Sequence, residues 1–257
     1  MTNPNSARRP GIRQAKIAEL IAQRGKISVE TLAQRFDTST ETIRRDLTAL
    51  ANAGQIQKIH GGAKAIGSHG EGVFDVRMRR NSLAKRLIAE KAITLVKPHQ
   101  TIFMDTGSTT LICAEALCRI KNLTIITNST RIAATFGAGS GAAKIYLLGG
   151  EYRADNAQTV GAQTIAEIGY YQADMAILTI GAITPLGASD YSNHEAMVAR
   201  AMQNSSSKLT LLVDHSKFSQ RAAFKVCPLE NINFLVSNKK PDELLNQALL
   251  NANVEVI

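Results

Sequence analysis

The sequence predicts an α/β chain in two parts, an N-terminal winged helix-turn-helix and a C-terminal mainly parallel α/β domain. Three observations predict it. Residues 38–62 read as a capped amphipathic helix running into a Gly-Gly turn, and beyond residue 98 short apolar runs alternate with helical segments. Charge divides along the same line: residues 1–97 hold 18 Lys+Arg against 8 Asp+Glu, net +10, and residues 98–257 hold 12 against 13, net −1. A basic module attached to a near-neutral domain is the distribution expected of a part that meets a polyanion.

In the basic part, Ile17, Leu20 and Ile21 form the apolar stripe of a first helix over about residues 11–24. Val29, Leu32, Ala33 and Phe36 form that of a second, opened by Ser28. Thr38 is placed to cap a third helix, and Glu41 three residues on completes a capping box. Ile43, Leu47 and Leu50 fall on its inner face at i, i+4 and i+7, which leaves Ser39, Thr40, Thr42, Arg44 and Arg45 turned outward. The few residues around Asp37 make the short connection that a helix-turn-helix requires. After Gly54, a strand over residues 55–59 carries Lys58 and leads through His60 to the Gly61-Gly62 turn, as a wing needs. The competing interpretation is a small helical domain whose arginines are merely solvated. Charge segregation favours a duplex-DNA face made of Ser39, Thr40, Thr42, Arg44, Arg45, Lys58 and His60. Phosphate contacts would then supply affinity, and the third helix sequence preference.

Residues 67–81, with glycine at 67, 70 and 72, read as a linker between domains 1–66 and 82–257, and the first ten residues as a basic arm. A helix over about Ser82–Lys97 ends before Pro98. Strands then begin at Thr101, Leu123, Ile145, Met175 and Leu209, each followed by a helical segment or a loop, with Phe234–Ser237, a helix from Pro241 and a last strand VEVI closing the chain. Runs such as MAILTI and LTLLV are apolar throughout and not alternating, so both their faces are buried, as in a parallel sheet covered by helices on each side. No apolar run approaches the roughly 20 residues of a membrane span, and the N-terminus lacks a signal-peptide pattern. Cys113, Cys118 and Cys227 form no C-x-x-C. A cytoplasmic protein with core-filling cysteines, no bound metal and no cofactor is the expectation.

Ligands of such sheets lie at the carboxyl ends of the strands. The turn Asp105-Thr106-Gly107-Ser108-Thr109-Thr110 joins a buried strand to a helix, and its hydroxyls and backbone N–H groups suit an anion held at a helix N-terminus. An ordinary capped turn has the same composition, so this segment alone leaves the two readings open. Thr127-Asn128, Gly149-Gly150, Gly181 and Asp214-His215-Ser216-Lys217-Phe218 follow other strands of the same sheet.

Several fixed residue types at fixed spacing resemble the DeoR-type bacterial transcriptional regulators. They are Arg13-Gln14 with Ile17 and Ile21, then Ser39-x-x-Thr42-Ile43-Arg44-Arg45-Asp46-Leu47, then His60-Gly61-Gly62-Ala63, with Phe74, Arg77 and Lys85 further on. The resemblance implies a winged helix-turn-helix repressor of carbohydrate-metabolism genes. Its C-terminal domain would share the fold of pentose-phosphate isomerases, and a phosphorylated sugar or related metabolite would release it from its operator. A repressor with a small basic module also needs a second surface to place two modules on one operator, so a homo-oligomer, dimer or tetramer, made by the C-terminal domain is expected. The resemblance implies no catalytic residues. The effector contacts it implies fall on Asp105, Thr106, Gly107, Ser108, Thr109, Thr110, Thr127, Asn128, Gly149, Gly150 and Lys217, the lysine reaching the anionic group. Asp105 would repel a phosphate and is assigned to sugar hydroxyls or to holding the loop. Two departures from the family pattern stand out: Ala199 occupies the position before Arg200 where the family commonly has lysine, and LVSN at 235–238 replaces a usual I-T-D ending.

The alternative class is a sugar-phosphate isomerase with an appended basic domain. Isomerisation needs a carboxylate base over the sugar carbons, and Glu151 and Asp155 are the candidates. Pentose-phosphate isomerases carry D-G-A-D-type and K-G-G-G-type loops, whereas this chain has GGEYRADN and DHSKF. Asp214, His215 and Ser216 do not make a hydrolase relay, because neighbouring side chains of an extended segment point to opposite faces.

Overall fold

The computed structural model describes residues 10–52, 55–65 and 74–257. Most of the expected N-terminal arm and the glycine-rich residues 67–73 of the expected linker lie outside the described residues. The chain divides into two compact units between Arg77 and Met78.

The first unit is built on α1 (Pro10–Arg24), β1 (Lys26–Ser28), α2 (Val29–Arg35), α3 (Thr40–Asn52), β2 (Ile56–Ile59) and β3 (Gly62–Ala65). Ile17, Ile21, Leu32, Ile43, Leu47 and Ile56 bury their side chains in one cluster, so the three apolar stripes meet as their spacing predicts. Ser28 caps α2 by accepting from the Thr31 N–H at 3.1 Å.

The cap of α3 is Ser39, not Thr38: its hydroxyl accepts from the Thr42 N–H at 3.2 Å and lies 2.9 Å from the Thr42 hydroxyl. Thr38 is already committed to the end of α2. Asp37 takes a left-handed φ of 47°, its N–H reaches the Gln34 carbonyl, and the Thr38 N–H reaches that of Ala33 at 3.1 Å. This Schellman closure fixes the tight turn between α2 and α3 and moves the cap one residue along.

A third strand, β1, is absent from the sequence reading. It pairs antiparallel with β3, which pairs with β2 across the His60-Gly61 turn. Gly62 lies so close under β1 that an added Cβ would run into the Ile27 carbonyl. Glycine there is therefore a packing requirement of the wing.

Beneath the stripes sits a buried ion pair. Arg13 Nε donates to Asp46 Oδ2 at 2.6 Å and Arg13 Nη2 to Oδ1 at 3.3 Å, and Gln14 Nε2 adds 2.9 Å to Oδ1. The bidentate geometry locks α1 to α3.

Where a linker was expected, α4 (Phe74–Arg79) is helical. The second unit is built on α5 (Ser82–Ile93), β4 (Thr101–Met104), α6 (Ser108–Leu117), β5 (Thr124–Thr127), α7 (Thr130–Ala138) and β6 (Lys144–Leu147). After the hairpin β7 (Glu151–Arg153) and β8 (Gln158–Val160) come α8 (Ala162–Ile168), β9 (Met175–Thr179), β10 (Ala182–Thr184) and β11 (Gly187–Asp190). The chain ends with α9 (Asn193–Asn204), β12 (Leu209–Val213), β13 (Phe224–Cys227), β14 (Phe234–Ser237), α10 (Glu243–Asn251) and β15 (Glu255–Val256). Helix α5 stops short of the expected Lys97, because Thr94, Leu95 and Val96 close onto carbonyls three residues back and Pro98 disfavours a helical Lys97.

Seven strands form one sheet in the order β15-β14-β12-β9-β4-β5-β6, and each neighbouring pair is parallel. Its central strands are buried on both faces, the edge strands β6 and β15 less so: Phe103 joins one core cluster while its neighbours Ile102 and Met104 join the other. The continuous apolar runs thus mean what the sequence says they mean. The short strands β7, β8, β10, β11 and β13 were not predicted, since three or four partly polar residues carry no periodic signal. From β4 the chain moves outward through β5 and β6, then returns to the opposite side of β4 as β9. The switch point, where a crevice opens at the strand ends, is therefore between β4 and β9.

Removing one partner of a buried ion pair strands the other charge. Arg13→Ala and Asp46→Ala should each destabilise the first unit by about 3 to 5 kcal/mol, and the double variant by less than the sum. Denaturant unfolding followed by helical circular dichroism checks both expectations.

Candidate functional site

The first unit presents an outward face on α3 and the wing. Arg44 and Arg45 are exposed, and each approaches Glu41 loosely, at 3.9 and 3.5 Å. Contacts of that kind contribute little and release easily. Lys58 on the wing donates to Thr48 Oγ1 at 2.9 Å, and Thr48 donates to the Arg44 carbonyl at 2.8 Å. This relay fixes the wing to α3 one turn along from Arg44; Thr48 is not among the residues the sequence singles out. His60 is exposed at the wing tip, Ser39 is exposed, and Thr40 and Thr42 are half-buried.

At the β4–β9 switch point lies the Asp105–Thr110 turn, with Thr127-Asn128 and Gly149-Gly150 following β5 and β6 further along the same sheet edge, and these residues do different jobs. Both carboxylate oxygens of Asp105 accept from the Thr179 N–H, at 3.1 and 3.0 Å, which ties the end of β4 to β9. Burial drives its carboxyl well above the usual carboxylate range, and the charges of Asp190 and Glu195 push the same way against the Thr179 bond. Thr110 donates to the Asp105 and Gly107 carbonyls and Thr127 accepts from the Ser129 N–H, and both are fully buried. These contacts brace the loops. Gly107 has an extended φ of −164°, so no special turn demands it. Close approach does: an added Cβ would collide with the Thr179 hydroxyl.

Around the brace lie groups with capacity to meet an anion. Gly107 gives α6 no side-chain cap, so the first-turn N–H groups of Ser108, Thr109 and Thr110 begin a helix whose dipole favours negative charge. Lys85, only 4% exposed, donates to Ser108 Oγ at 2.9 Å. The sequence carried its signal, a lysine set into the apolar stripe of Ala84, Ile88 and Ala92, yet Lys85 was not counted among the site residues. One turn earlier, Asn81 donates to Asp214 Oδ1 at 3.0 Å and to Ser216 Oγ at 3.3 Å. The start of α5 therefore borders both the Ser108 loop and the loop after β12.

That second loop is a 3₁₀ turn, His215–Lys217, and not the extended segment the sequence suggested. Ser216 donates its hydroxyl to Asp214 at 2.6 Å, while His215 Nδ1 faces Asn238 at 3.0 Å from its Nδ2. Serine and histidine turn to different partners, so no hydrolase relay forms. Burial raises the Asp214 pKa, but the Ser216 hydroxyl and N–H, the Lys217 charge and Asn81 outweigh it and hold the carboxyl low. Lys217 is half-buried, its amine 5.8 Å from the centre of the Tyr191 ring.

Thr106 donates to Asn128 Oδ1 at 3.3 Å, and Asn128 donates to the Thr159 carbonyl at 2.9 Å. Gly149 and Gly150 are half-buried, with the Gly149 N–H on Glu167 at 2.7 Å. Glu195 accepts from Asn156 and Gln158 at 2.8 and 2.9 Å. Ala199, in place of the family's lysine, is buried in the core. Glu151 and Asp155, the carboxylates an isomerase would use, are exposed, and Glu151 pairs with Arg153 at 3.0 Å. Among the described residues no three metal-ligating side chains gather, and no helix is long and apolar enough to cross a membrane. Burial pushes the Cys113 and Cys227 thiols up to about 12, as befits packing residues.

Residues 13–69 match the DeoR-like helix-turn-helix domain and residues 80–239 the DeoR C terminal sensor domain. The glycerol-3-phosphate regulon repressor of Haemophilus influenzae is 34% identical over 236 residues, 91% of this chain and 92% of that one. The HTH-type transcriptional regulator GolR of Listeria innocua is 32% identical over 249 residues, 96% and 98% of the two chains. Among solved structures, the tetrameric eIF2B-beta2-delta2 complex from C. thermophilum shares the fold at a TM-score of 0.50, with 12% identity over 98% of this chain and 90% of that one. Ribose 5-phosphate isomerase A of Methanocaldococcus jannaschii overlaps 54% of this chain and 55% of that one, at a TM-score of 0.41 and 19% identity. Both domain matches, in this order along one chain, and two relatives that span nearly its whole length place the protein: it belongs to the DeoR family of transcriptional regulators, not to a family of enzymes.

Proposed function

We propose that the chain is a cytoplasmic repressor of carbohydrate-metabolism genes that acts as a homo-oligomer. It binds duplex DNA through Ser39, Thr40, Thr42, Arg44, Arg45, Lys58 and His60, and a phosphorylated sugar or related metabolite releases it. The observation that carries the effector reading is the uncapped start of α6 beside the buried Lys85 amine, at the strand ends where ligands of such sheets lie. Names of relatives agree with it, since glycerol-3-phosphate regulon repressors, such as those of Haemophilus influenzae and Escherichia coli, are among them. In this reading Ser108, Thr109 and Lys217 hold the anion, joined by Lys85, and Thr106 and Asn128 face the carbon skeleton. Asp105, Thr110 and Thr127 hold the loops, as their contacts suggest, and Gly107, Gly149 and Gly150 let backbone come close.

DNA affinity in this reading depends on phosphate contacts and falls with salt. Full-length Arg44→Ala should bind operator DNA at least about 10-fold more weakly than wild type, with a shallower dependence on salt concentration. Fluorescence anisotropy at several salt concentrations measures both, and unchanged affinity and slope would remove α3 from the groove.

A thermal-shift screen against sugar phosphates should find a ligand that stabilises wild type, by about 2.7 kcal/mol at 100 times its dissociation constant. Lys217→Ala should weaken that ligand about 10- to 100-fold, the loss of one charge-assisted hydrogen bond, while operator affinity stays at the wild-type value. Equal ligand potency on Lys217→Ala would place the effector elsewhere.

A further inference from the structure

Helix α5 carries an outer face whose two charges are complementary to their own reverse order. At 100° per residue, Leu83, Arg86, Glu90 and Ile93 fall on one arc, opposite the buried Ala84, Ile88 and Ala92, with Ile93 half-buried against the core at the helix's end. Their spacing of three, four and three is that of the contact seam of paired helices. Leu83 is 75% exposed. Arg86 and Glu90 are exposed too, and among the described residues neither is ion-paired. Arg86, Glu90 and Ile93 also form one wall of a groove of about 510 Å³ between α5 and α6, whose other wall carries Glu115 and Arg119, again one charge of each sign.

We propose that this face docks a second copy of the chain, α5 against α5, antiparallel about a two-fold axis at Ile88. The inference rests on the reading of the protein as an oligomeric regulator and assigns its interface. In a two-fold contact, if one residue meets a second, the second meets the first. With the axis at Ile88, Arg86 meets the partner subunit's Glu90 and Glu90 meets the partner subunit's Arg86, while Leu83 and the partner subunit's Ile93 cover both ends. A parallel arrangement would set Arg86 on Arg86 and Glu90 on Glu90. Nucleic acid or an acidic peptide would meet Glu90, and a basic partner would meet Arg86. The alternation of sign within one turn is matched by a surface with the same alternation reversed, which the chain itself supplies.

The test uses full-length protein in light scattering and sedimentation at micromolar concentration. Arg86→Glu and Glu90→Arg each place like charges opposite one another, which costs several kcal/mol at an interface. Each single variant should therefore fall to half the wild-type mass or less, with self-association weakened about 100-fold. Mixed in equal amounts, the two singles should recover the wild-type mass, because each then faces the opposite sign. The double variant R86E/E90R should assemble as wild type does. Circular dichroism confirms that these exposed changes leave the fold intact. A monomeric wild type, single variants that keep its mass, or a mixture that stays dissociated would each overturn the interface. Operator binding by wild type is measured in parallel, so failure of the interface is distinguishable from failure of the regulator reading.

Discussion

A parallel sheet covered by helices on both faces leaves only its ends for chemistry, and most of the second unit follows from that constraint. Continuous apolar strands such as β9 and β12 bury alternate residues in opposite core clusters, so neither face has room for a ligand. The crevice opens where the chain reverses direction across the sheet, between β4 and β9. Asp105 bridges it, accepting from the Thr179 N–H with both oxygens. A buried carboxylate is an expensive brace, since desolvation opposes its charge. Its use here keeps two adjacent strand ends at a fixed separation, which any ligand set between them requires.

The sequence made some of this legible and not the rest, for physical reasons. Apolar stripes at helical spacing placed α1, α2 and α3 closely, because Ile17, Leu32, Ile43 and Leu47 have one face to bury and no alternative. Continuous runs placed the seven-stranded sheet. The cap of α3 was misplaced by one residue, since Thr38 and Ser39 are equally able caps and only the left-handed Asp37 decides between them. Strands β1, β7, β8, β10, β11 and β13 escaped because strands of three or four partly polar residues are specified by their partners, not by their own pattern. Arg13 and Asp46 both stand in the motif that identified the family, yet 33 positions separate them, and pairing across such a gap is a tertiary fact.

The candidate sites divide in the same way. Residue types announced the Ser108 loop and Lys217, but types do not say which hydroxyls turn inward. Thr110 and Thr127 spend theirs on backbone, whereas Ser108 receives a hydrogen bond from Lys85. Lys85 itself was visible as a charge set into an apolar stripe. The deciding question, whether that charge is accommodated by a neighbour or waits at a ligand site, depends on a contact 23 positions away.

The proposed release from DNA needs more than a pocket. A ligand shifts a conformational equilibrium only by the difference in its affinity for the two states, and couplings of this kind are typically worth about 1 to 3 kcal/mol, or roughly 5- to 150-fold. One repressor subunit with one weak helix-turn-helix would gain little from so modest a change. Two modules carried by one homo-oligomer reinforce each other, because once the first is bound the second acts at a high effective concentration. A ligand that merely alters how two modules are presented therefore removes that reinforcement, without abolishing the affinity of either. On this account the start of α5 has three neighbours of consequence within one helix: Asn81 on the Asp214 loop, Lys85 on Ser108, and the Leu83–Arg86–Glu90–Ile93 seam on its outer face. In the proposed dimer, an anion drawn between the two loops would act on the helix that both subunits share, and that helix would carry binding at the strand ends directly to the second subunit.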